Sequence, residues 1–426
     1  ITASAGTSNF RAGVNAGNSI ESGGNYNVVV GDEAGTAITT GDDNVLVGYS
    51  AGDAITTGTR NVAVGTGAAG TNVSGDYNVA VGYESLTTST ASQNTALGFR
   101  SLRSDTTGAD NVAIGRSALQ ENTSASNNVA VGHLSLKNNT TGTQNVAVGA
   151  LALDANTTAS YNTAVGYNAL TANTTGADNT AVGRTALENN TTADNNTAVG
   201  KAALAQNTTG ASNTALGSLA LNLNTTGISN TAVGKSALGA NTTANANTAV
   251  GYNSLTANTT GTENTAVGTE ALNATITGSY NTAVGRSALL LTTGDHNTAV
   301  GRIALRTNSS GANNTALGSR SMYSNSSGGN NTAVGVNALD ANTTASNNTA
   351  IGYRAGTTTT TGADNVAVGS DALFANTTGA SNVAIGHDAL GENTTASNNT
   401  AVGMSALVAN TTGTGNSAVG RSALGA

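Results

Sequence analysis

N-T-A-V-G-R-T-A-L-E-N-N-T-T-A-D-N, residues Asn179 to Asn195, is the unit that recurs with small changes along almost the whole chain. We number each unit from the Gly of its N-x-A-V-G motif, which takes position zero. These glycines run from Gly31 to Gly420 in steps of 17, except for two steps of 16. A short fixed period indicates a solenoid, in which each repeat is one coil that buries its apolar face only against its neighbours. The 24 glycines therefore predict about 24 coils.

Each coil is predicted to contain one short β-strand. Seventeen residues are too few for two packed helices, and V-A-V or T-A-V between Asn and Gly has the composition of a strand. The sequence also contains no Pro, which would remove a donor from a backbone ladder. The predicted fold class is all-β, a parallel β-solenoid (β-roll) of about 24 coils with a 17-residue repeat.

Two regions are predicted along the chain. Residues 1–24 match the repeat poorly and are predicted to be a degenerate N-terminal coil or a junction. Residues 25–426 form one continuous β-solenoid repeat domain, which stops partway through a coil at S-A-L-G-A and is therefore expected to be truncated at its C-terminus. An open end exposes unpaired edge groups, so end-to-end stacking into a filament is expected.

Period-two alternation assigns two faces to each strand. We expect the aliphatic residues at −1 and +4, Val182 and Leu187 in the quoted unit, to fill the interior. Ala181 at −2 is then predicted to lie on the opposite face. Asn179 at −4 and Asn190 at +7 are expected to stack with their equivalents in neighbouring coils as corner amides.

An exchange of residues links positions +4 and +7. In the coils after Gly31 and Gly48, position +4 is Gly, whereas position +7, usually Asn, is Ile38 or Ile55. We infer that +4 and +7 border the same interior space, which needs one large aliphatic side chain in each coil.

The predicted core is thin, since one Val and one Leu per coil bury little apolar surface compared with the backbone entropy lost on ordering a whole coil. Association of chains through the Ala face at −2 is one expected remedy. The alternative is a monomer whose Ala residues fill its own narrow interior.

The units N-T-A-V-G-x-x-A-L and N-V-A-I-G-x-x-A-L resemble the head repeats of trimeric autotransporter adhesins, and are similar to repeats in phage and prophage tail fibres. The resemblance covers about residues 25 to 426. It implies a homotrimer of parallel β-rolls that serves as an extracellular fibre, either on a cell surface or as a virion tail appendage, and binds host surfaces. The expected function is a structural and adhesive shaft, although the 17-residue repeat is a few residues longer than the family's.

Composition and spacing give no support to catalysis. The three histidines, His133, His296 and His387, lie many coils apart, so no His cluster is expected and we predict no metal, cofactor or catalytic site. The net charge of −8 lacks the basic footprint of a nucleic-acid binder, and no apolar run is long enough to insert into a membrane.

Position +1 varies from coil to coil and often holds an aromatic or basic residue. Such residues suit recognition, because aromatic rings stack on sugars and basic groups pair with acidic glycans. We call its aromatic and basic members the corner stripe and take them as candidate glycan-binding residues. A solvent-facing corner that accepts any side chain explains the same residues. The corner stripe comprises Tyr49, Tyr83, Phe99, Arg116, His133, Tyr167, Arg184, Lys201, Lys235, Tyr252, Arg286, Arg302, Tyr353, His387 and Arg421.

The N-T-T segments at +7 to +9 allow two further interpretations. They match the N-x-[ST] glycosylation pattern, for example at Asn139, Asn173, Asn207 and Asn376, although a corner turn explains the same letters. Their Thr pairs also suggest an alternative function, a monomeric Thr-rich β-solenoid that binds ice. Free exchange of Thr with Val at −3 and of Thr with Ser at +8 and +9 favours turn chemistry instead.

Overall fold

The computed structural model describes residues 6–425 and separates into two compact units, Ile1–Ser212 and Asn213–Ala426. Both units are built only of short parallel strands and turns, and the described residues contain no helix. The prediction of an all-β parallel β-solenoid with a 17-residue repeat is confirmed.

Every strand is three residues long and pairs with the strand one coil away. The first unit contains β1 (Phe10–Ala12), β2 (Val28–Val30), β3 (Val45–Val47), β4 (Val62–Val64), β5 (Val79–Val81), β6 (Thr95–Leu97), β7 (Val112–Ile114), β8 (Val129–Val131), β9 (Val146–Val148), β10 (Thr163–Val165), β11 (Thr180–Val182) and β12 (Thr197–Val199). The second contains β13 (Thr214–Leu216), β14 (Thr231–Val233), β15 (Thr248–Val250), β16 (Thr265–Val267), β17 (Thr282–Val284), β18 (Thr298–Val300), β19 (Thr315–Leu317), β20 (Thr332–Val334), β21 (Thr349–Ile351), β22 (Val366–Val368), β23 (Val383–Ile385), β24 (Thr400–Val402) and β25 (Ser417–Val419).

Pairing within each unit is in register, so equivalent positions of successive coils lie above one another. Thr180 pairs with Thr163 in the coil before and with Thr197 in the coil after. A position in the repeat therefore becomes a rank of side chains running along the stack, and the two 16-residue intervals leave the register intact.

Two ladders of buried Asn side chains hold the coils together. The Asn179 amide N–H donates to Asn162 Oδ1 at 3.0 Å, and Asn190 Nδ2 donates to Asn173 Oδ1 at 2.9 Å, both one coil back. Within its own coil, each of the two Asn side chains also donates from Nδ2 to the Ala193 carbonyl, at 2.8 and 3.0 Å. The predicted stacking of the −4 and +7 amides is confirmed, and the amides lie inside the coil.

Side chains alternate between two faces along each strand, as predicted, but the inward and outward faces are the reverse of those predicted. Ala181 at −2 is fully buried, whereas Val182 at −1 is only half-buried and points outward with Thr180. The prediction that Val182 fills the interior and that Ala181 forms an outer face is therefore wrong. Leu187 at +4 is fully buried, as predicted.

The reversal has a steric cause, because the +4 and −2 positions face each other across a narrow interior. A Cβ placed on Gly35 at +4 would lie 2.8 Å from a methyl of Leu46, which occupies −2 in the next coil. When +4 is Leu, only a methyl group fits opposite, and Ala takes −2. The alternative interpretation, in which the Ala residues fill the chain's own interior, matches the observed burial.

The inference that +4 and +7 border one interior space is confirmed, but the inference that each coil needs a large aliphatic residue there is wrong, since the coil after Gly352 has Gly356 and a buried Thr359. Ile38 and Ile55 are both fully buried, and the Ile38 side chain reaches to 2.8 Å from the position that a Cβ on Gly35 would take. A large residue at +7 thus fills the space that Gly leaves at +4.

Residues 6–24 continue the stack at the N-terminal side. The strand β1 pairs with β2, and the Asn27 amide N–H donates to Asn9 Oδ1 at 2.9 Å, as in the −4 ladder. Gly13 takes the zero position with φ +138°, and Ile20 is buried at +7. This segment has the layout of one further coil.

Candidate recognition surface

The corner stripe follows directly from the backbone turn after each strand. The zero glycine turns the chain with a positive φ, for example +135° at Gly183, and the residue at +2 adopts the left-handed conformation. The amide at +2 then donates to the +1 carbonyl of the coil before, as Thr185 does to Tyr167 at 3.0 Å. This bond repeats along each unit and holds the +1 side chains outward.

All fifteen members of the corner stripe are exposed. Eight of them, from Tyr49 to Lys201, lie in the first unit, and seven, from Lys235 to Arg421, lie in the second. Small residues between them divide the stripe into short groups. The longest group, Tyr83 to His133, occupies four successive coils.

The group at Tyr83 and Phe99 is an ordered aromatic pair. Their rings stack with centroids 5.4 Å apart and planes 11° from parallel. The Arg100 guanidinium lies 5.0 Å from the Phe99 ring centroid, a cation–π contact. These contacts fix two exposed rings and one cation in a defined geometry, which reduces the rotamer entropy lost when a ligand binds.

A carboxylate completes this group. Glu84 Oε2 lies 3.0 Å from Arg100 Nε and 3.1 Å from Arg103 Nε. A hydrogen bond from Tyr83 and the charges of the two arginines lower the pKa of Glu84. The group therefore presents aromatic, cationic and anionic contacts within two coils, a combination that suits charged sugars.

The structure also shows a second stripe that the sequence analysis missed. It lies at −5, on the far side of the strand from the corner stripe, and its rings and cations are exposed or stacked on one another. Tyr280 and His296 stack with centroids 4.8 Å apart, and Arg60 lies 5.3 Å from the Tyr77 ring centroid. The second stripe consists of Tyr26, Arg60, Tyr77, Tyr161, Tyr280 and His296. The available signal was the residue immediately before each N-x-A-V-G motif.

Between the two stripes lies the outer strand face, formed by the residues at −3 and −1. Position −1 is Val, Leu or Ile in every strand from β2 to β25, and each of these side chains is half-buried or exposed, with Leu97 at 44% and Leu317 at 46%. Position −3 is Val in much of the first unit and Thr in the nine consecutive strands β13 to β21. The result is a ladder of β-branched and aliphatic side chains without a covering layer in the described residues.

The four Asn residues that match a glycosylation pattern lie in the buried +7 ladder. Asn139, Asn173, Asn207 and Asn376 are fully buried. Asn139 Nδ2, for example, donates to Asn122 Oδ1 at 3.1 Å and to the Gly142 carbonyl at 2.9 Å. Both amide hydrogens are engaged, so a glycan on this nitrogen would require the coil to open.

The Thr pairs at +8 and +9 also serve the backbone. The Thr157 hydroxyl donates to the Thr174 carbonyl at 3.2 Å, and the Thr225 hydroxyl to the Thr242 carbonyl at 3.0 Å. The same bond occurs where Ser replaces Thr, from Ser309 to the Ser326 carbonyl. The +8 hydroxyls are thus part of the coil-to-coil ladder, as turn chemistry predicts.

No known family model matches this chain, and comparison with curated proteins finds no relative. The described residues contain no helix able to span a membrane. The fold and the surface ranks define a parallel β-solenoid with two aromatic and basic stripes beside an aliphatic strand face.

Proposed function

We propose that this chain is a shaft segment of an extracellular homotrimeric fibre, which spaces and presents surface-binding elements. The observation that carries the proposal is the direction of the core hydrogen bonds. Both Asn ladders and the strand ladder join residues 16 or 17 apart, so all three ladders run from coil to coil. Such a stack extends by adding identical coils, which is how repeat proteins form extended structures.

The outer strand face supports lateral association of chains. A contiguous exposed apolar rank usually marks an interaction surface. With Ala inside each coil, the aliphatic residues at −1 are the ones available to pack against another copy. The resemblance to adhesin heads and tail fibres favours three copies, either on a bacterial surface or on a virion.

A second candidate function, ice binding by a monomer, is favoured by one feature of the same face. In β13 to β21 the ranks of Thr at −3 and aliphatic residues at −1 repeat at the regular spacing of a parallel sheet. The hydroxyls of Thr231 and Thr248 have no hydrogen-bond partner in the described part of the chain. A regular array of methyl and free hydroxyl groups suits ordered water.

One experiment separates the two functions. We expect the wild-type chain to show about three times the 41.3 kDa mass of one chain in light scattering, without thermal hysteresis. Val284→Lys combined with Leu317→Lys places charges on the outer strand face and should reduce the mass to that of one chain. The circular dichroism spectrum should not change, because both side chains are exposed.

The control variant carries the same two charges on another surface. Thr260→Lys combined with Ser327→Lys replaces exposed residues at +9 and should leave the trimer intact. A wild-type mass of 41.3 kDa would contradict the fibre proposal. Thermal hysteresis at micromolar concentration in that sample would establish the ice-binding function instead.

The corner stripe supplies the adhesive part of the proposal. On an array of acidic and neutral surface glycans, we expect binding that falls by roughly tenfold or more in Tyr83→Ala with Phe99→Ala, since aromatic anchors dominate many interfaces. Leu223→Ala combined with Ile276→Ala, which removes two exposed apolar side chains outside both stripes, is the matched control and should bind normally. Equal binding by all three proteins would show that the stripe has no role in recognition.

A further inference from the structure

Three metal-ligating side chains meet on adjacent coils of the second unit. Asp371 and Asp388 occupy position +2 after β22 and β23, and His387 occupies +1 beside Asp388. One ligand atom from each residue lies within 4.8 Å of the other two. The amides of Asp371 and Asp388 donate to carbonyls of the coils before, at 3.0 and 3.1 Å, so the backbone fixes both positions.

The two carboxylates form an arrangement that is unfavourable without a cation. Because β22 and β23 pair in register, Asp371 and Asp388 are stacked one coil apart. One oxygen of each lies within 4.8 Å of the other, and like charges at that distance repel one another. No other pair of successive coils has an acid in both +2 positions.

The neighbouring groups only partly satisfy this charge. Arg354 Nε lies 3.2 Å from Asp371 Oδ1, yet that oxygen is shielded from solvent and has no hydrogen-bond partner in the described residues. The other oxygen, Oδ2, accepts a hydrogen bond from Ser370 Oγ at 3.0 Å. The Arg354 guanidinium packs 4.0 Å from the Phe374 ring centroid. Packing on the ring thus holds the guanidinium beside the carboxylate without an aligned hydrogen bond.

On the other side, His387 Nδ1 lies 2.9 Å from Asp388 Oδ2. An open groove of about 370 Å³ adjoins the two carboxylates and is also lined by Glu392, which adds a third negative charge. The groove gives an ion and its water ligands access to the cluster.

We propose that Asp371, His387 and Asp388 bind a divalent transition-metal ion, such as Zn²⁺. One imidazole nitrogen and two carboxylate oxygens are ligands that first-row ions accept, whereas Mg²⁺ and Ca²⁺ prefer oxygen alone. The remaining coordination positions would be filled by water. The ion would neutralise the stacked carboxylates and connect two successive coils.

The sequence analysis predicted no metal site because the three histidines lie far apart. A site with one His needs only acids that the fold brings together. Asp371 and Asp388 are separated by one repeat length, and this spacing was the available signal.

The test is calorimetric titration of Zn²⁺ into the untagged 426-residue chain after treatment with EDTA. We expect one Zn²⁺ per chain with a micromolar Kd, and a higher melting temperature of the second unit in excess Zn²⁺. The chain has no Cys, so thiolate sites cannot contribute to the signal.

Two variants locate the site. His387→Ala and Asp388→Asn should each weaken Zn²⁺ binding by at least about tenfold, because each removes one of three protein ligands. His133→Ala, which removes an exposed His at +1 in the first unit, should bind Zn²⁺ like the wild type. Absence of stoichiometric binding, or full binding by both site variants, would overturn the proposal.

Discussion

Gly234→Ala is expected to destabilise the coils around it by about 3 kcal/mol or more. Gly234 has φ +127°, which disfavours any residue with a Cβ. A Cβ at this position would also lie 2.5 Å from the Gly251 carbonyl oxygen of the next coil. That oxygen is a backbone atom, held by a turn hydrogen bond from the Ser254 amide at 3.3 Å, so relief of the clash would separate two coils.

The same coil offers a matched control. Gly239, at +5, has an ordinary φ, and a Cβ there would lie no closer than 3.3 Å to any atom beyond its chain neighbours. Gly239→Ala should change stability by no more than about 0.5 kcal/mol. Thermal melting and hydrogen exchange of the second unit measure both effects, and equal melting of the two variants would contradict the steric explanation.

Asp105→Asn is expected to stabilise the first unit at neutral pH by about 3 kcal/mol. Asp105 replaces Asn in the buried +7 ladder and is fully buried. It accepts hydrogen bonds from Ser89 Oγ and Asn122 Nδ2, both at 2.7 Å. Burial raises its pKa to about 6, against the opposing effect of these hydrogen bonds.

The geometry of the ladder explains why the neutral form fits better. In the neighbouring coil, Asn122 Nδ2 donates to the Ala125 carbonyl three residues later, at 3.0 Å. A carboxylate has no hydrogen for the corresponding bond, whereas a protonated acid or an amide has one. An Asn side chain at position 105 would supply the missing donor without adding volume.

The pH dependence follows from the direction of the pKa shift. The folded protein binds the Asp105 proton more tightly than the unfolded chain, in which the ordinary pKa of 3.8 applies. The free energy of unfolding should therefore fall as pH rises from about 4 to about 6, and remain low above that range. In Asp105→Asn this contribution to the pH dependence should disappear.

This pH dependence is measured by thermal melting of the first unit at a series of pH values from about 4 to about 8. Hydrogen exchange of the coils around position 105 is measured in the same samples. Local exchange is needed because long repeat stacks do not always unfold in one step. Asp110→Asn removes the same charge from an exposed position and should change stability by less than about 0.5 kcal/mol. If both variants show the wild-type pH dependence, the buried carboxylate is not its source.

The recognition surface was partly predictable from sequence. The corner stripe was visible because +1 is the variable rank next to the zero glycine, and all its members are exposed. The second stripe was missed because most residues at −5 are small or polar, and the cluster at Asp371 and Asp388 was missed because it combines two different positions, +1 and +2, of adjacent coils. Only stacking in register brings such residues together.

The sequence by itself determined the period, the place of the strand, the turn at each zero glycine and the two Asn ladders. These features recur in every coil, apart from the +7 Asn, which recurs in most coils, and they depend on local geometry and on similar neighbours one coil away. Only the tertiary structure decided that Ala181 points inward and Val182 outward. Both faces of the strand carry apolar side chains, so alternation alone cannot distinguish them. The space opposite the strand determines which face points inward, because Leu187 leaves room for a methyl group but not for a larger side chain.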